Sequence, residues 1–318
     1  MEVFPYQESG ASQWDEFIAT SPNSTFLHSR RYLSYHGDRF EDRSLLIKDN
    51  KEKLVGLFPA AVDRESVSRV VSHPGITYGG VLHNGSLRGQ GLLDALAALR
   101  DYYREQGFET LRYKAVPIIY HLAPSADDLY ALFRLGAKRY RCDLSCAIDF
   151  DGRQAVSDRR KRGIRKAIKC GVEISGGLNH VEALWQVIAD NLSRKHNVRP
   201  VHSADEIARL HSLFPENIDF VVARLNSEVV AGIVLFITAR VVHAQYIASS
   251  ESGQDVCALD AVFEHSIEKA RAKGARYFDF GISNENEGQQ LNAGLYQYKS
   301  EFGAGGVVHE FYEINLRT

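Results

Sequence analysis

The 318-residue sequence predicts an α/β (α+β) protein in which one structural unit is written twice. Three observations carry this expectation. A strand–turn–strand pattern occurs at residues 44–59 and again at 220–235. Gly56 and Gly232 stand at the same point of the second strand in each copy. Downstream, both copies continue into an amphipathic helix, a glycine stop and an apolar strand.

In the first copy, the apolar residues Leu45, Leu46 and Ile47 lead through a polar turn at 49–53 into a second strand at 54–58. The second copy turns at 226–228. Residues 89–106 then place Leu92, Leu93, Leu96, Leu99 and Tyr103 near helical spacing, and Gly107 ends the helix before a strand at 108–114. Its counterpart, 256–273, carries Leu259, Val262, Phe263, Ile267 and Ala270, ends at Gly274 and leads into a strand at 276–280. Near the join, a strand at 140–148 is followed by a helix at 155–170 and a short strand at 172–175. Helices follow at 180–196 and 203–213, the latter opened by Ser203, Asp205 and Glu206. The expected units are 1–150 and 151–318, the second being the catalytic half. With no low-complexity linker between them, a cleft between the units is expected.

The chain is 44% hydrophobic and 25% charged, with a net charge of −2, so there is no global attraction to DNA or an anionic membrane. The first ten residues lack the pattern of a secretory signal. The longest apolar run, 229–237, is too short for a span of roughly 20 residues. A cytoplasmic protein is expected. The four cysteines show no zinc spacing, so no metal site is expected and the thiols are read as reduced.

Several stretches resemble the FemAB family, tandem-GNAT enzymes that add amino acids to peptidoglycan precursors. They are Ser72-His-Pro-Gly-Ile-Thr-Tyr-Gly-Gly80, Leu111-Arg-Tyr-Lys-Ala-Val-Pro117, the basic run from Arg159 into Lys169-Cys-Gly-Val172, Tyr277-Phe-Asp-Phe-Gly281, and Tyr298-Lys-Ser-Glu-Phe-Gly303. The sequence is equally similar to the shorter FemAB-related acyltransferases of envelope polysaccharide clusters. The resemblance implies two fused GNAT-like units, each a mixed, mainly antiparallel sheet flanked by helices. It implies acyl or aminoacyl transfer to an amine or hydroxyl of a nucleotide- or lipid-linked cell-envelope precursor, of peptidoglycan or polysaccharide. The donor would be acyl-CoA or aminoacyl-tRNA, with tRNA a candidate partner and no permanently bound cofactor. The alternative is a non-catalytic protein of the same fold that holds an anionic ligand in the cleft.

Acyl transfer needs a donor for the oxyanion, a route for protons and, with a nucleotide-linked donor, a phosphate cradle. Residues 249–255 stand where GNAT proteins carry the pyrophosphate loop, but offer one glycine, Gly253, beside Glu251 and Asp255. Asp255 reads as the cap of the following helix. The basic helix places Arg159, Arg162, Lys166 and Lys169 on one face, with Arg165 beside them, as a phosphate site or a solvated face. Ile164 and Ile168 are expected to face the core. Lys299 looks like the family lysine near the reacting centre, and Lys299→Ala is expected to abolish transfer while leaving thermal stability nearly unchanged. Tyr298 is a candidate proton donor, or a core aromatic. His73, exposed by a turn at Pro74-Gly75, is a candidate base, as are Tyr246 and His243 candidate participants and Tyr78 a substrate contact. Asp279 would orient the acceptor amine or cap the loop after it.

Overall fold

The computed structural model describes residues 1–196, 200 and 202–317. The chain divides into two compact units. Unit 1 holds residues 1–144, 284–290 and 308–318; unit 2 holds 145–283 and 291–307.

Unit 1 begins with β1 (Glu2–Pro5), α1 (Ala11–Thr20) and the single turn α2 (Arg30–Leu33). The hairpin β2 (Leu45–Lys48) and β3 (Leu54–Phe58) follows, with β1 on one side and β6 (Leu82–His83) on the other. Between β3 and β6 lie β4 (Ala61–Val62) and β5 (Arg69–Val71). Helix α3 (Gln90–Glu105) then leads to β7 (Thr110–Lys114), α4 (Asp127–Arg134) and β8 (Lys138–Asp149), whose residues to Leu144 belong here. The last strand, β16 (Gly305–Asn315), returns to pair with β7 through Phe311–Asn315, so this sheet is completed by the far end of the chain. Leu92, Leu96, Leu99 and Tyr103 of α3 pack on Leu45, Ile47 and Phe58 in one core, as their helical spacing requires.

Unit 2 takes the second part of β8 and adds α5 (Asp158–Lys169), β9 (Glu173–Gly176), α6 (Val181–His196) and α7 (Ala204–Leu213). The long hairpin β10 (Ile218–Leu225) and β11 (Glu228–Ile237) leads to β12 (Val241–Ser249). After α8 (Glu251–Asp255) and α9 (Ala258–Ala272) comes β13 (Tyr277–Ile282), and after the two-residue strands β14 (Asn284–Glu285) and β15 (Gln290–Leu291) comes α10 (Ala293–Ser300). Within this unit the strand order is β8, β13, β12, β11, β10, β9; only β12 and β13 run parallel. The core gathers Ile233, Leu235, Val262, Phe263, Phe278, Phe280 and Phe302.

The matched glycines have a packing reason. A Cβ at Gly56 would lie 2.9 Å from Leu87, and one at Gly232 would lie 2.7 Å from Leu184. Each strand is crossed closely by a side chain there. The two units differ at the next strand. In unit 2 it is the unbroken β12, whereas in unit 1 it is split into β5 and β6 by residues 72–81.

Two local expectations are corrected. Ser203 caps α7 reciprocally with Glu206 as read, but Asp255 caps nothing: it ends α8, which is capped by Ser250. The N-cap of α9 is Cys257, in left-handed conformation (φ 56°). Nor do Ile164 and Ile168 form the inner face of α5. Ile168 is 68% exposed, and the buried residues are Arg160, Gly163 and Ala167. The helix turns inward its smallest side chains and one arginine, because what it meets is the carboxylate of Asp260 on α9. A Cβ at Gly163 would stand 1.9 Å from Asp260 Oδ2.

Candidate active site in unit 2

The ladder between β12 and β13 pairs Val241–His243 with Tyr277–Asp279 and stops there. Beyond it, the two parallel strands part while β12 remains paired to β11 as far as Ser249. At the end of β12 lies a cavity of about 450 Å³. Arg159, Arg162 and Lys166 of α5, Ser249, Gly253 and Cys257 line it, with Tyr298 of α10. Gly253 is required: a Cβ there would lie 2.3 Å from the Val230 carbonyl oxygen. Thus residues 250–255 form a short capped helix rather than an open glycine loop, and the three cations come from the neighbouring helix.

A buried ionic network underlies this cavity. Arg160 donates from Nη1 to Asp260 Oδ1 at 2.7 Å and from Nε to Glu301 Oε2 at 2.9 Å. Tyr298 donates its hydroxyl proton to the same Asp260 oxygen at 2.7 Å, and the guanidinium lies 4.5 Å from the Tyr298 ring centroid. Burial, then the Asp260 charge, raises the Tyr298 pKa well above its ordinary value. Tyr298 is therefore a neutral hydrogen-bond donor already committed to a carboxylate. Sequence reading missed Arg160, Asp260 and Glu301. The available signal was Asp260 within the apolar stripe of α9, three residues before Phe263 and seven before Ile267.

Lys299, the next residue of α10, is 4% exposed. Its Nζ donates to the carbonyls of Gly281 (2.9 Å) and Ile282 (2.6 Å), at the end of β13. Burial lowers its pKa to about 8, with Asp279 and then Cys146 opposing the shift. An ammonium has three donors, and these two bonds leave the third. The bonds also change an expectation: Lys299→Ala strands two carbonyls, so it acts on stability as well.

Asp279 is fully buried. It accepts from Ser145 Oγ and, at 3.0 Å, from the Gly281 amide, and lies 2.9 Å from His243 Nδ1. It holds the turn after β13. Tyr246, on β12, is hydrogen-bonded to His202 Nδ1. Arg165 donates from Nε to the Lys161 carbonyl, and neither it nor Lys169 lines the cavity.

His73 and Tyr78 lie in unit 1. The turn does not expose His73, which is 4% exposed at φ 50°. Burial, then the charges of His36, Lys114, Arg30 and His28, hold its pKa well below the usual histidine value. It is a neutral imidazole whose Nδ1 accepts from the Gly75 amide at 3.2 Å. Tyr78 is buried and donates to Thr25 Oγ1 at 3.4 Å. Residues 72–81 are laced to β7: Gly79 N donates to the Lys114 carbonyl (2.9 Å), Lys114 N to Ser72 Oγ (2.8 Å), Val81 N to the Tyr113 hydroxyl (2.8 Å). Burial lowers the Lys114 pKa to about 7, and its Nζ donates to the Ile76 carbonyl. Thus the segment next to β7 in unit 1 is occupied by the chain itself, where unit 2 has a cavity.

The acetyltransferase (GNAT) domain family matches residues 152–300. That stretch, just under half of the chain, is similar to a GNAT domain. It contains the cavity, the basic helix and Lys299. Among solved structures, FemX is similar to 99% of this chain over 97% of its own, at a TM-score of 0.68 and 11% identity. The C-terminal domain of a putative lysylphosphatidylglycerol synthetase from Agrobacterium fabrum covers 96% of the chain and 92% of its own (TM-score 0.62, 9% identity). A tandem GNAT protein from the clavulanic acid biosynthesis pathway covers 99% and 98% (TM-score 0.55, 11% identity). The chain therefore has the FemAB-like fold of two fused GNAT-like units. No curated protein sequence matches it. Among the described residues, no helix is long and apolar enough to cross a membrane.

Proposed function

We propose that the GNAT domain transfers an acyl or aminoacyl group to an amine or hydroxyl of a cell-envelope precursor, nucleotide- or lipid-linked. The observation that carries this reading is the parting of β12 and β13 after His243 and Asp279, with a cavity rimmed by Arg159, Arg162 and Lys166 at the far end of β12. The edge of β12 beyond the ladder offers backbone N–H groups to an oxyanion. The three cations suit the phosphates of a CoA thioester or an aminoacyl-tRNA ester. The solved structures of similar fold, FemX and the putative lysylphosphatidylglycerol synthetase domain, support the envelope setting.

In this mechanism the acceptor attacks the donor carbonyl, and the tetrahedral oxyanion receives the third donor of Lys299 and an amide of β12. Collapse breaks the bond to the thiol sulfur or ribose oxygen, which leaves with the proton that the attacking amine or hydroxyl gives up. Lys299 acts by charge, and its ammonium titrates near pH 8. Transfer is thus expected to fall as pH rises through about 8, because the folded-state pKa is lowered and the cation is lost there. Turnover of the purified protein with acyl-CoA and aminoacyl-tRNA donors, across pH 6.5–9.5 or so, tests this. Lys299→Arg, charged throughout, is expected to lose the alkaline limb. An intact fold that binds a donor without turnover at any pH refutes the transferase reading.

A further inference from the structure

Acyl transfer also releases the acceptor's own proton, which needs a base as the new bond forms. Two side chains at the fork between β12 and β13 offer one. His243 and Asp279 are the last partners of the parallel ladder. Their strand neighbours Val242, Ala244, Phe278 and Phe280 all belong to the unit 2 core. Alternation along the strands therefore puts the two polar side chains together on the opposite face. Asp279 is sealed there, whereas the His243 side chain keeps 13% of its surface in solvent.

The contacts of Asp279 fix the state of that imidazole. Its Oδ1 accepts from Ser145 Oγ and from the Gly281 amide, and its Oδ2 lies 2.9 Å from His243 Nδ1. With two donors on one oxygen and the Lys299 ammonium nearby, Asp279 is a carboxylate. A carboxylate only accepts, so Nδ1 carries a proton and donates it. In the neutral ring the lone pair is then on Nε2, which has no hydrogen-bond partner among the described residues. The ring is also held in place. Gly281, at φ 77°, packs against it, and a Cβ there would lie 3.4 Å from Cε1. The carbonyl of the same glycine accepts from Lys299 Nζ at 2.9 Å. Imidazole and ammonium thus meet at one residue, where the strands part.

We propose that His243 is the general base of the transfer, taking the acceptor's proton on Nε2, and that Asp279 is its positioning residue. This step rests on the transferase reading. The acceptor nitrogen or oxygen attacks the donor carbonyl while its proton passes to Nε2. The imidazolium so formed is paired with Asp279. On collapse the carbon–sulfur or carbon–oxygen bond breaks, and Nε2 returns the proton to the departing sulfur or ribose oxygen. His243 ends as it began, and one proton has crossed from acceptor to leaving group.

Two substitutions separate the roles. His243→Asn can place its amide nitrogen where Nδ1 stood, which keeps a donor to the buried carboxylate and removes Nε2. With acetyl-CoA or alanyl-tRNA as donor and UDP-glucosamine as acceptor, kcat is expected to fall at least about a hundredfold, with the donor KM within about threefold. Asp279→Asn tests the positioning. Ser145 Oγ and the Gly281 amide hold the oxygen of the new side chain on their side, so its NH2 group faces Nδ1. Nδ1 must then accept, and the proton moves to Nε2. Diethyl pyrocarbonate, which acylates an unprotonated imidazole nitrogen, reads this without any substrate. By peptide mass spectrometry, His243 is expected to be modified in the folded wild type while the sealed His28 and His73 are not. The rate at His243 is expected to drop at least about tenfold in Asp279→Asn. An equal rate in that variant, or a His243 that stays unmodified in the folded wild type, overturns the proposal. If the wild type turns over neither donor, the transferase reading falls and this step with it. A working wild type beside a His243→Asn variant within about threefold of it overturns the step alone.

Discussion

Replacing Arg160 by methionine keeps much of the side-chain length and removes the cation that bridges Asp260 and Glu301. Arg160 and Asp260 are almost wholly buried and their contact is 2.7 Å, with a second ion pair of 2.9 Å to Glu301. Stranding a buried charge in this way costs about 3–5 kcal/mol. For a unit of this size each kcal/mol moves the melting temperature by roughly 2–4 °C, so a fall of about 6–20 °C is expected by circular dichroism at pH 7. Two further measurements separate this account from simple loss of packing. Burial already raises the Asp260 pKa, with Tyr298 and Arg160 opposing it. Without Arg160 the folded-state value rises further. A carboxyl with a raised folded-state pKa favours the fold at low pH and loses that contribution as pH rises, so the deficit of Arg160→Met is expected to shrink on acidification. Adding Asp260→Asn, which removes the stranded charge, is expected to restore part of the loss. A fall below about 3 °C, or a double variant whose loss is the sum of the two singles, refutes the reasoning.

Two other changes test the packing around each unit. Asp128 is buried in unit 1, accepts from the Tyr113 hydroxyl at 2.8 Å, and has its pKa raised by burial to about 6. Since that folded-state value lies above the unfolded one, stability is fullest below about pH 4 from this group and declines by about 3 kcal/mol as pH passes 6. Asp128→Asn is expected to flatten the urea midpoint between pH 4 and 7 or so; an unchanged slope rules the account out. In unit 2, Gly253→Ala places a methyl 2.3 Å from the Val230 carbonyl oxygen, a backbone atom that cannot swing away. A loss of about 1–3 kcal/mol is expected from thermal melts, and wild-type stability would show that α8 shifts freely.

Much of the architecture was legible because it depends on periodicity and punctuation. Helix α3 and helix α9 declare themselves by an apolar stripe and a terminal glycine, and β3 spans the residues its pattern marked. The site was legible only in part. Lys299 and the cations of α5 stood out by charge, but charge does not say which side of a helix is inward. Ile168 looked like core and is exposed, while Arg160, to which its spacing assigned no role, is buried, because Asp260 on another helix supplies its counter-charge.

By itself, the sequence determined the doubled unit, the hairpins and the helix limits, since these depend on local hydrogen bonding and on which residues tolerate burial. Tertiary structure alone decided three matters. It set the inward face of α5, the plugging of the unit 1 strand pair by residues 72–81, and the burial of Arg30 with two donors unpaired. Each depends on a partner far away in the chain, and the cost or gain of burying a polar group is fixed by that partner rather than by its own neighbours.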